Sequence, residues 1–208
     1  QKAVVLNRED PRISKIEAKH QVYFGLSDML LKKFPSDDNL LYKTGTVASD
    51  KPAIVTLDKL DGQKATYRVK TEHYHTNLTL KGIYNAFNAA GALALVSTIL
   101  PETDSQNFVN TLSKVESAFG RGEVFKINDA EVEILLVKNP SAFQLSLASF
   151  VDDEHDYMIA INDNIADGRD ISWLWNVDFK ALPGVKVVSG IRATDMALRL
   201  KYDEVKVD

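Results

Sequence analysis

Cysteine is missing from all 208 residues, which excludes disulfides, thiolate zinc sites and a cysteine nucleophile supplied by this chain. Long apolar runs are missing as well, because the longest, at residues 89–100, includes Ser97 and Thr98 and is too short to cross a bilayer. Neither charge sign dominates, since 25 basic and 29 acidic residues are mixed and form no basic stripe. We therefore predict no transmembrane segment and no nucleic-acid partner.

The residues that are present suit an α/β protein. An apolar content of 45% can fill a sizeable core, and the length fits one large or two small domains. Apolar patterns and turn residues predict strands at 3–6, 21–24, 53–57, 65–70, 124–127, 132–137, 157–160 and 185–189. Helices are predicted at 28–34, 83–100, 105–119, 140–150 and 194–202, with Asp104 and Pro140 at two of the helix starts. The pattern predicts one domain at residues 1–119 and another at 120–208.

The most unusual stretch is the polar loop that follows the apolar run 157–160. Asp163, Asp167 and Asp170 lie within eight residues, Gly168 permits a sharp turn, and Ser172 is a candidate cap for a short helix that carries both tryptophans. Open α/β sheets place their sites at such strand ends, so we expect chemistry here. The alternative, which composition alone favours, is a solvated loop whose aspartates cap a helix.

Two histidines invite a metal-site hypothesis. His73, His75 and Asn77 share one face of a predicted strand, because side chains alternate along a strand with period two. No nearby carboxylate or thiol completes a recognisable ligand set. We therefore favour exposed strand histidines and predict no metal site.

Four stretches together resemble a known family. They are GIYNAFNAA at 82–90, FGR at 119–121 with KNP at 138–140, NDNIADGRDISWLW at 162–175, and GIRATDMALRL at 190–200. The third is the most specific, because it is long and rich in uncommon residues. On these residues the chain resembles the MurT family, the ligase subunit of the bacterial enzyme that amidates D-glutamate in the lipid II stem peptide. The resemblance runs from Leu6 to nearly the end of the chain.

The resemblance implies a Mur-ligase architecture. Residues 1–119 would be part of the central nucleotide-binding domain, and residues 120–208 a Rossmann-like C-terminal domain. The family uses ATP and Mg²⁺ to activate a substrate carboxylate as an acyl phosphate, which ammonia from a GatD-like glutaminase partner then attacks. The implied assembly is a heterodimer that acts on lipid II from the cytoplasm, at the inner face of the membrane.

The resemblance also implies roles for individual residues. Asn85 and Asn88 would contact adenine, Arg121 the phosphates, Lys138 and Asn139 the nucleotide from the C-terminal side, and Asp170 the Cys-His pair of the glutaminase. An Asn amide offers the donor and acceptor that the adenine edge needs, and the Arg fork suits phosphate. An aspartate beside a histidine fixes its tautomer and stabilises its charged form. The alternatives are helix capping for each asparagine and an exposed linker charge for Arg121.

The chain also departs from the family pattern. It contains no G-x-x-x-x-G-K-[ST] loop to cradle phosphates, and the four-cysteine zinc ribbon expected between Gly25 and Asp61 is missing. Asn176 stands where the family often has Asp. We therefore expect this 208-residue chain alone to bind ATP weakly or not at all and to be inactive. The alternative function is a non-catalytic scaffold of the same fold that binds a glutaminase partner.

Overall fold

The computed structural model describes residues 3–34, 49–116, 120–152, 154–165 and 168–208, and it describes only the backbone of Arg121. Contacts divide the chain into two compact units, one with the described residues up to Leu135 and one at 136–208. None of the helices in these ranges is long and apolar enough to cross a membrane. The predictions for Phe119 and Asp167 lie outside the described residues.

The first unit is built on a five-stranded mixed sheet. Its strands are β1 (Val4–Asn7), β2 (Gln21–Leu26), β3 (Val55–Asp61), β4 (Lys64–Val69) and β5 (Glu72–Asn77). They lie in chain order across the sheet, with β1, β2 and β3 parallel and with β3, β4 and β5 antiparallel. Short helices at Ile13–Lys15 and α1 (Asp28–Leu31) follow β1 and β2. The dipeptide Asp61-Gly62 predicts a tight hairpin turn, and the structure confirms it between β3 and β4, with Gly62 at a φ of 55°.

Helix α2 (Ile83–Ile99) packs against β1, β2 and β3, and α3 (Ser105–Leu112) packs against β5. Small side chains let α2 approach the sheet closely, because Ala86, Ala90 and Ala94 are fully buried. The buried Tyr67 hydroxyl donates to the Ala86 carbonyl oxygen over 2.8 Å, which joins β4 to α2. Both helices begin where the sequence predicts them to begin, and Asp104 caps α3 by accepting the Gln106 N–H.

A two-stranded hairpin ends the first unit. Strands β6 (Arg121–Ile127) and β7 (Ala130–Leu135) pair antiparallel, and Lys81 in the loop before α2 forms a 3.4 Å ion pair with Glu133. The sequence pattern predicts this hairpin in the second domain, whereas the compact units divide after Leu135. The predicted and observed boundaries differ because the two strands of the hairpin pair with each other and their ion pair, between Glu133 and Lys81, joins them to the first unit.

The second unit contains α4 (Pro140–Phe150), β8 (Met158–Ala160), a 3-10 helix (Ser172–Asn176), β9 (Val187–Ser189) and α5 (Ala193–Tyr202). Strands β8 and β9 are parallel neighbours, and Val185 forms a separate parallel bridge with Val207. Phe143, Ile159, Leu174, Phe179 and Met196 form the centre of a buried apolar core. Parallel strands alternating with helices confirm the predicted α/β class.

Candidate functional site

The carboxyl ends of β8 and β9 are fastened to each other. The backbone N–H of Arg192 donates to the Ile161 carbonyl oxygen over 3.0 Å, and the N–H of Ile191 donates to Oδ1 of Asn162, also over 3.0 Å. Gly190 between them has a φ of 90°, and a Cβ there would lie 2.2 Å from the Ile161 carbonyl oxygen. Only glycine fits this position. The start of the aspartate-rich loop is therefore fixed by contacts with the chain that follows β9.

A partly buried ion pair also joins the chain after β9 to the loop. Nε of Arg192 lies 2.8 Å from Oδ2 of Asp163, and Nη1 of Arg192 lies 3.4 Å from Oδ2 of Asp195. The Asp163 side chain is 25% exposed, while that of Asp195 is 49% exposed. The contact with Asp163 is electrostatic, because Arg192 Nε–H makes no hydrogen bond to the residues that the structure describes. The shorter and less exposed of the two contacts is thus made to the loop.

The loop turns back before it reaches Asp170. The N–H of Gly168, which has a φ of 87°, donates to the Asn164 carbonyl oxygen over 3.1 Å and closes a turn. An open cleft of about 760 Å³ is lined by Asp163, Asn164, Ile165 and Arg169. The turn brings the chain to Asp170, two residues after Gly168.

Asp170 is an exposed carboxylate with one firm local partner. Its Oδ1 accepts the backbone N–H of Ser172 over 2.8 Å. Hydrogen bonds from the Ser172 hydroxyl and then from its N–H lower the pKa of Asp170 below its ordinary value. Asp170 is therefore ionised at neutral pH, and the backbone hydrogen bond holds its orientation at the entrance of the 3-10 helix.

The two tryptophans of this helix have different environments. Trp173 packs on the core beside Phe143, with ring centroids 6.3 Å apart, whereas Trp175 is half exposed and meets Tyr202 edge-on at 5.2 Å. Ser172 is the first residue of the helix, and Ile171 precedes it without a capping side chain. The prediction that Ser172 caps the helix is therefore wrong, because Asp170 binds the Ser172 N–H instead.

The predicted adenine residues lie in the first turns of α2. The amide nitrogen of Asn85 donates to the Lys81 carbonyl oxygen over 2.7 Å, and Asn88 is exposed. Positions three apart share a helix surface, so these two side chains are neighbours. Neither caps the helix, because Gly82 occupies the N-cap position without a side-chain cap. Capping, the alternative function for both residues, is therefore excluded.

The other three residues predicted to contact the nucleotide lie in different environments. Arg121 begins β6, and its side chain lies outside what the structure describes. Lys138 is exposed, and Asn139 is the N-cap of α4, with Oδ1 accepting the Ala142 N–H over 2.8 Å. The capping alternative is therefore confirmed for Asn139. Its amide nitrogen is a donor that capping does not use.

The histidine pair does not converge on one point. Nε2 of His73 lies 3.0 Å from Oδ2 of Asp58, which also pairs with Arg68, while Nδ1 of His75 lies 3.0 Å from the Thr66 hydroxyl. Among the residues that the structure describes, no group of three or more His, Cys, Asp or Glu side chains is arranged to hold a metal ion.

Arg192 and Asn162 are residues of this candidate site that were not predicted from the sequence. Both lie inside stretches that carry the family resemblance, and both follow an apolar strand. Their positions after two apolar strands could have indicated that they lie close together, because the carboxyl ends of neighbouring parallel strands meet at one edge of a sheet. The pairing of β8 with β9, which joins the two stretches, required the structure.

The fold is similar to that of several ligases whose structures are known. A pseudomurein peptide ligase type C from Methanothermus fervidus matches 98% of this chain and 44% of its own, with a TM-score of 0.70 and 17% identity. The MurF ligase from Thermotoga maritima in complex with ADP matches 99% of this chain and 49% of its own, with a TM-score of 0.57 and 15% identity. Identities this low show a shared α/β fold alone.

Sequence comparisons narrow the class to one family. The MurT ligase C-terminal family model matches residues 136–208, which is also the extent of the second compact unit. The lipid II isoglutaminyl synthase (glutamine-hydrolyzing) subunit MurT of Staphylococcus aureus strain COL is 37% identical over 139 residues, covering 63% of this chain and 31% of that protein. The subunit of the same name from Streptococcus pneumoniae strain R6 is 27% identical over 154 residues, covering 71% and 34%. These matches confirm the resemblance to the MurT family over the residues that they cover.

The aligned part of the chain spans about a third of the length of these curated relatives. Activity, substrate and partner are properties of the whole relatives. For this chain they are matters of proposal.

Proposed function

We propose that this chain is part of the ligase subunit of a lipid II isoglutaminyl synthase. The complete subunit would amidate D-glutamate of the lipid II stem peptide with ammonia that a GatD-like glutaminase releases from glutamine. The family match at 136–208 and the names of the relatives support this proposal. The observation that carries it is Asp170, an exposed and ionised carboxylate in the part of the chain that matches the family.

Asp170 has chemistry to offer only to another protein. The chain has no cysteine, so a thiol nucleophile must come from a partner. A carboxylate that accepts the Nδ1–H of a partner histidine fixes its tautomer and stabilises the imidazolium formed when the histidine takes the thiol proton. A carboxylate oxygen accepts more than one hydrogen bond, so the contact with Ser172 leaves Asp170 able to do this. The contact also holds the carboxylate still before the partner arrives.

The residues assigned to the nucleotide fit it in chemical type. Asn88 is exposed. Asn85 keeps its side-chain oxygen as an acceptor, and Asn139 keeps its amide nitrogen as a donor. Lys138 and Arg121 would supply positive charge near phosphates. When bound, ATP with Mg²⁺ supplies the phosphoryl group that activates the carboxylate. These residues would orient the base and the charged end of the nucleotide.

The test replaces Asp170 with Asn in the complex of the complete ligase subunit and its glutaminase. The amide keeps size and hydrogen bonding but removes the charge, so it supports the wrong histidine tautomer. The same change in a serine-protease triad costs on the order of 10⁴-fold in rate. We expect glutamine hydrolysis to collapse to a similar degree, while gel filtration shows an intact complex and added ammonia still supports amidation.

Asp178→Asn is the matched control. Asp178 is exposed and its Oδ1 accepts the N–H of Lys180, two residues on, as Asp170 does with Ser172. We expect its hydrolysis rate to equal that of the wild type. Near-normal hydrolysis by Asp170→Asn would instead restrict Asp170 to capping the 3-10 helix. A wild-type complex that forms but never amidates would favour the scaffold alternative.

A further inference from the structure

We infer that Asp163 and Arg192 are positioning residues that set the place of Asp170 for the partner's histidine. This inference rests on the proposed function of Asp170. Neither residue is proposed to touch substrate or nucleotide. They act by fixing the segment that carries Asp170.

The ends of strands β8 and β9 hold the start of the loop in place. Backbone and Asn162 hydrogen bonds join residues 161 and 162 to residues 191 and 192, and Gly190 allows the two segments to approach more closely than any side chain would permit. Asn162 is therefore a fixed point. Asp163 is the next residue, so the direction in which the loop departs is decided by what holds the Asp163 side chain.

Arg192 holds that side chain across the strand ends. The 2.8 Å contact joins Asp163 to the residue just before α5, and both side chains are more than half buried. A partly desolvated ion pair of this kind is stronger than an exposed one. From Asp163 the chain goes directly into the turn that the Gly168 N–H closes on Asn164, and Asp170 follows two residues later.

Asp170 is thus held from both sides. On the far side, Ser172 and the packed 3-10 helix restrain it, with Leu174 buried in the core. On the near side, the ion pair of Asp163 with Arg192 restrains it through the turn. Catalysis is sensitive to such restraint, since a misplacement of about 1 Å by a mutation far from the chemistry can cost about 100-fold. Losing the ion pair should therefore weaken the support that Asp170 gives to the partner.

The experiment measures glutamine hydrolysis by the assembled complex with Asp163→Asn or Arg192→Gln in the ligase subunit. We expect kcat to fall about 10- to 100-fold in each case. The KM for glutamine should stay unchanged because glutamine binds to the partner. Amidation supported by added ammonia and the melting temperature should also stay close to wild type. The double variant should be no worse than either single variant, since both remove one contact.

Two controls separate positioning from general support of the fold. Asp195→Asn removes the other carboxylate beside Arg192, the one on α5, and should hydrolyse glutamine at the wild-type rate. Arg192→Lys keeps the positive charge and should recover part of the activity that Arg192→Gln loses. Adding Asp163→Asn to Asp170→Asn should cause no further loss, because the residue being positioned is already disabled.

The outcomes distinguish this inference from the proposed function. If Asp170→Asn abolishes hydrolysis but Asp163→Asn and Arg192→Gln keep the wild-type kcat, the positioning inference is wrong and the proposed function stands. It is also wrong if ammonia-supported amidation falls in parallel with hydrolysis, or if Arg192→Lys is no better than Arg192→Gln. If Asp170→Asn has no effect, the proposed function itself fails.

Discussion

Three asparagines with the same proposed ligand differ in the hydrogen bonds that their side chains make within the protein. The Asn139 oxygen caps a helix, and the Asn85 nitrogen binds the Lys81 carbonyl oxygen. Asn88 is exposed on the same helix surface as Asn85. An amide that makes no structural hydrogen bond can give both its donor and its acceptor to an adenine edge. Among the three, Asn88 is the residue whose substitution should report most directly on nucleotide binding.

We therefore predict that Asn88→Ala in the complete ligase weakens ATP binding with little change in stability. Loss of hydrogen bonds to a base costs about 1 to 3 kcal/mol, which corresponds to a rise in Kd of roughly 5- to 150-fold. Isothermal titration calorimetry measures the affinity. Asn107→Ala, an exposed asparagine on α3, should bind ATP as the wild type does. Equal affinities for the two variants would remove Asn88 from the site.

At the scale of single elements, helix α4 shows how one residue can serve two roles. Pro140 at its first position needs no hydrogen-bond acceptor, and Asn139 satisfies the N–H of Ala142. Asp caps about as well as Asn, while Ala does not. Asp lacks the amide donor and brings a negative charge, so the two substitutions separate the cap from a contact with a nucleotide.

Asn139→Ala should therefore destabilise the second unit by about 1 kcal/mol, and Asn139→Asp should leave its stability nearly unchanged. In the complete ligase, Asn139→Asp should nevertheless weaken ATP binding, because a carboxylate there would repel phosphate. Urea unfolding and ATP titration of both variants test the two parts. Wild-type ATP affinity in Asn139→Asp would leave Asn139 with the capping role alone.

The elements that could be predicted from the sequence are those that local chemistry determines. Asp104, Pro140 and the Asp61-Gly62 turn mark their helices and hairpin correctly, because caps and turns depend on a few adjacent residues. The predicted helix at 28–34 begins at Asp28 as expected but ends at Leu31. The sequence also predicts Ser27 as its cap, which is wrong, because the Ser27 hydroxyl donates to the Asp58 carbonyl oxygen.

Contacts distant in sequence could not be predicted in this way. Asp163 and Arg192 are 29 residues apart, and only the parallel pairing of β8 with β9 brings them together. The grouping of the β6 and β7 hairpin with the first unit likewise depends on tertiary contacts such as that of Lys81 with Glu133. Asp170, by contrast, could be singled out from its motif, and its capping contact with Ser172 is local.

At the scale of the whole molecule, the two units can be followed separately in one experiment. Both tryptophans lie in the 3-10 helix of the second unit, so tryptophan fluorescence reports the unfolding of that unit alone. Far-ultraviolet circular dichroism reports both units. Transitions that differ between the two probes would show that the chain does not unfold in a single two-state step.

The second unit also carries a buried ion pair that should make its stability depend on pH. The buried Arg199 donates to the carbonyl oxygens of Leu174 and Val177, and its Nη1 lies 2.8 Å from Oδ1 of Asp203. Burial by itself would raise the pKa of Asp203, but hydrogen bonds from Arg199 and from the Phe179 N–H outweigh it, so this pKa is lowered.

A carboxylate with a lowered pKa in the folded state contributes stability that is fully present above its unfolded pKa of about 3.9. This contribution is lost as the pH falls through the lower, folded pKa.

We predict that Asp203→Asn destabilises the second unit by about 3 kcal/mol at neutral pH, because a buried arginine is left without its counter-charge. The difference between variant and wild type should shrink below about pH 4. Urea unfolding followed by tryptophan fluorescence at several pH values measures it, with the exposed Asp195→Asn as the control expected to stay within about 0.5 kcal/mol of wild type. A stability difference that does not change with pH would show that the charge of Asp203 is not what stabilises this unit.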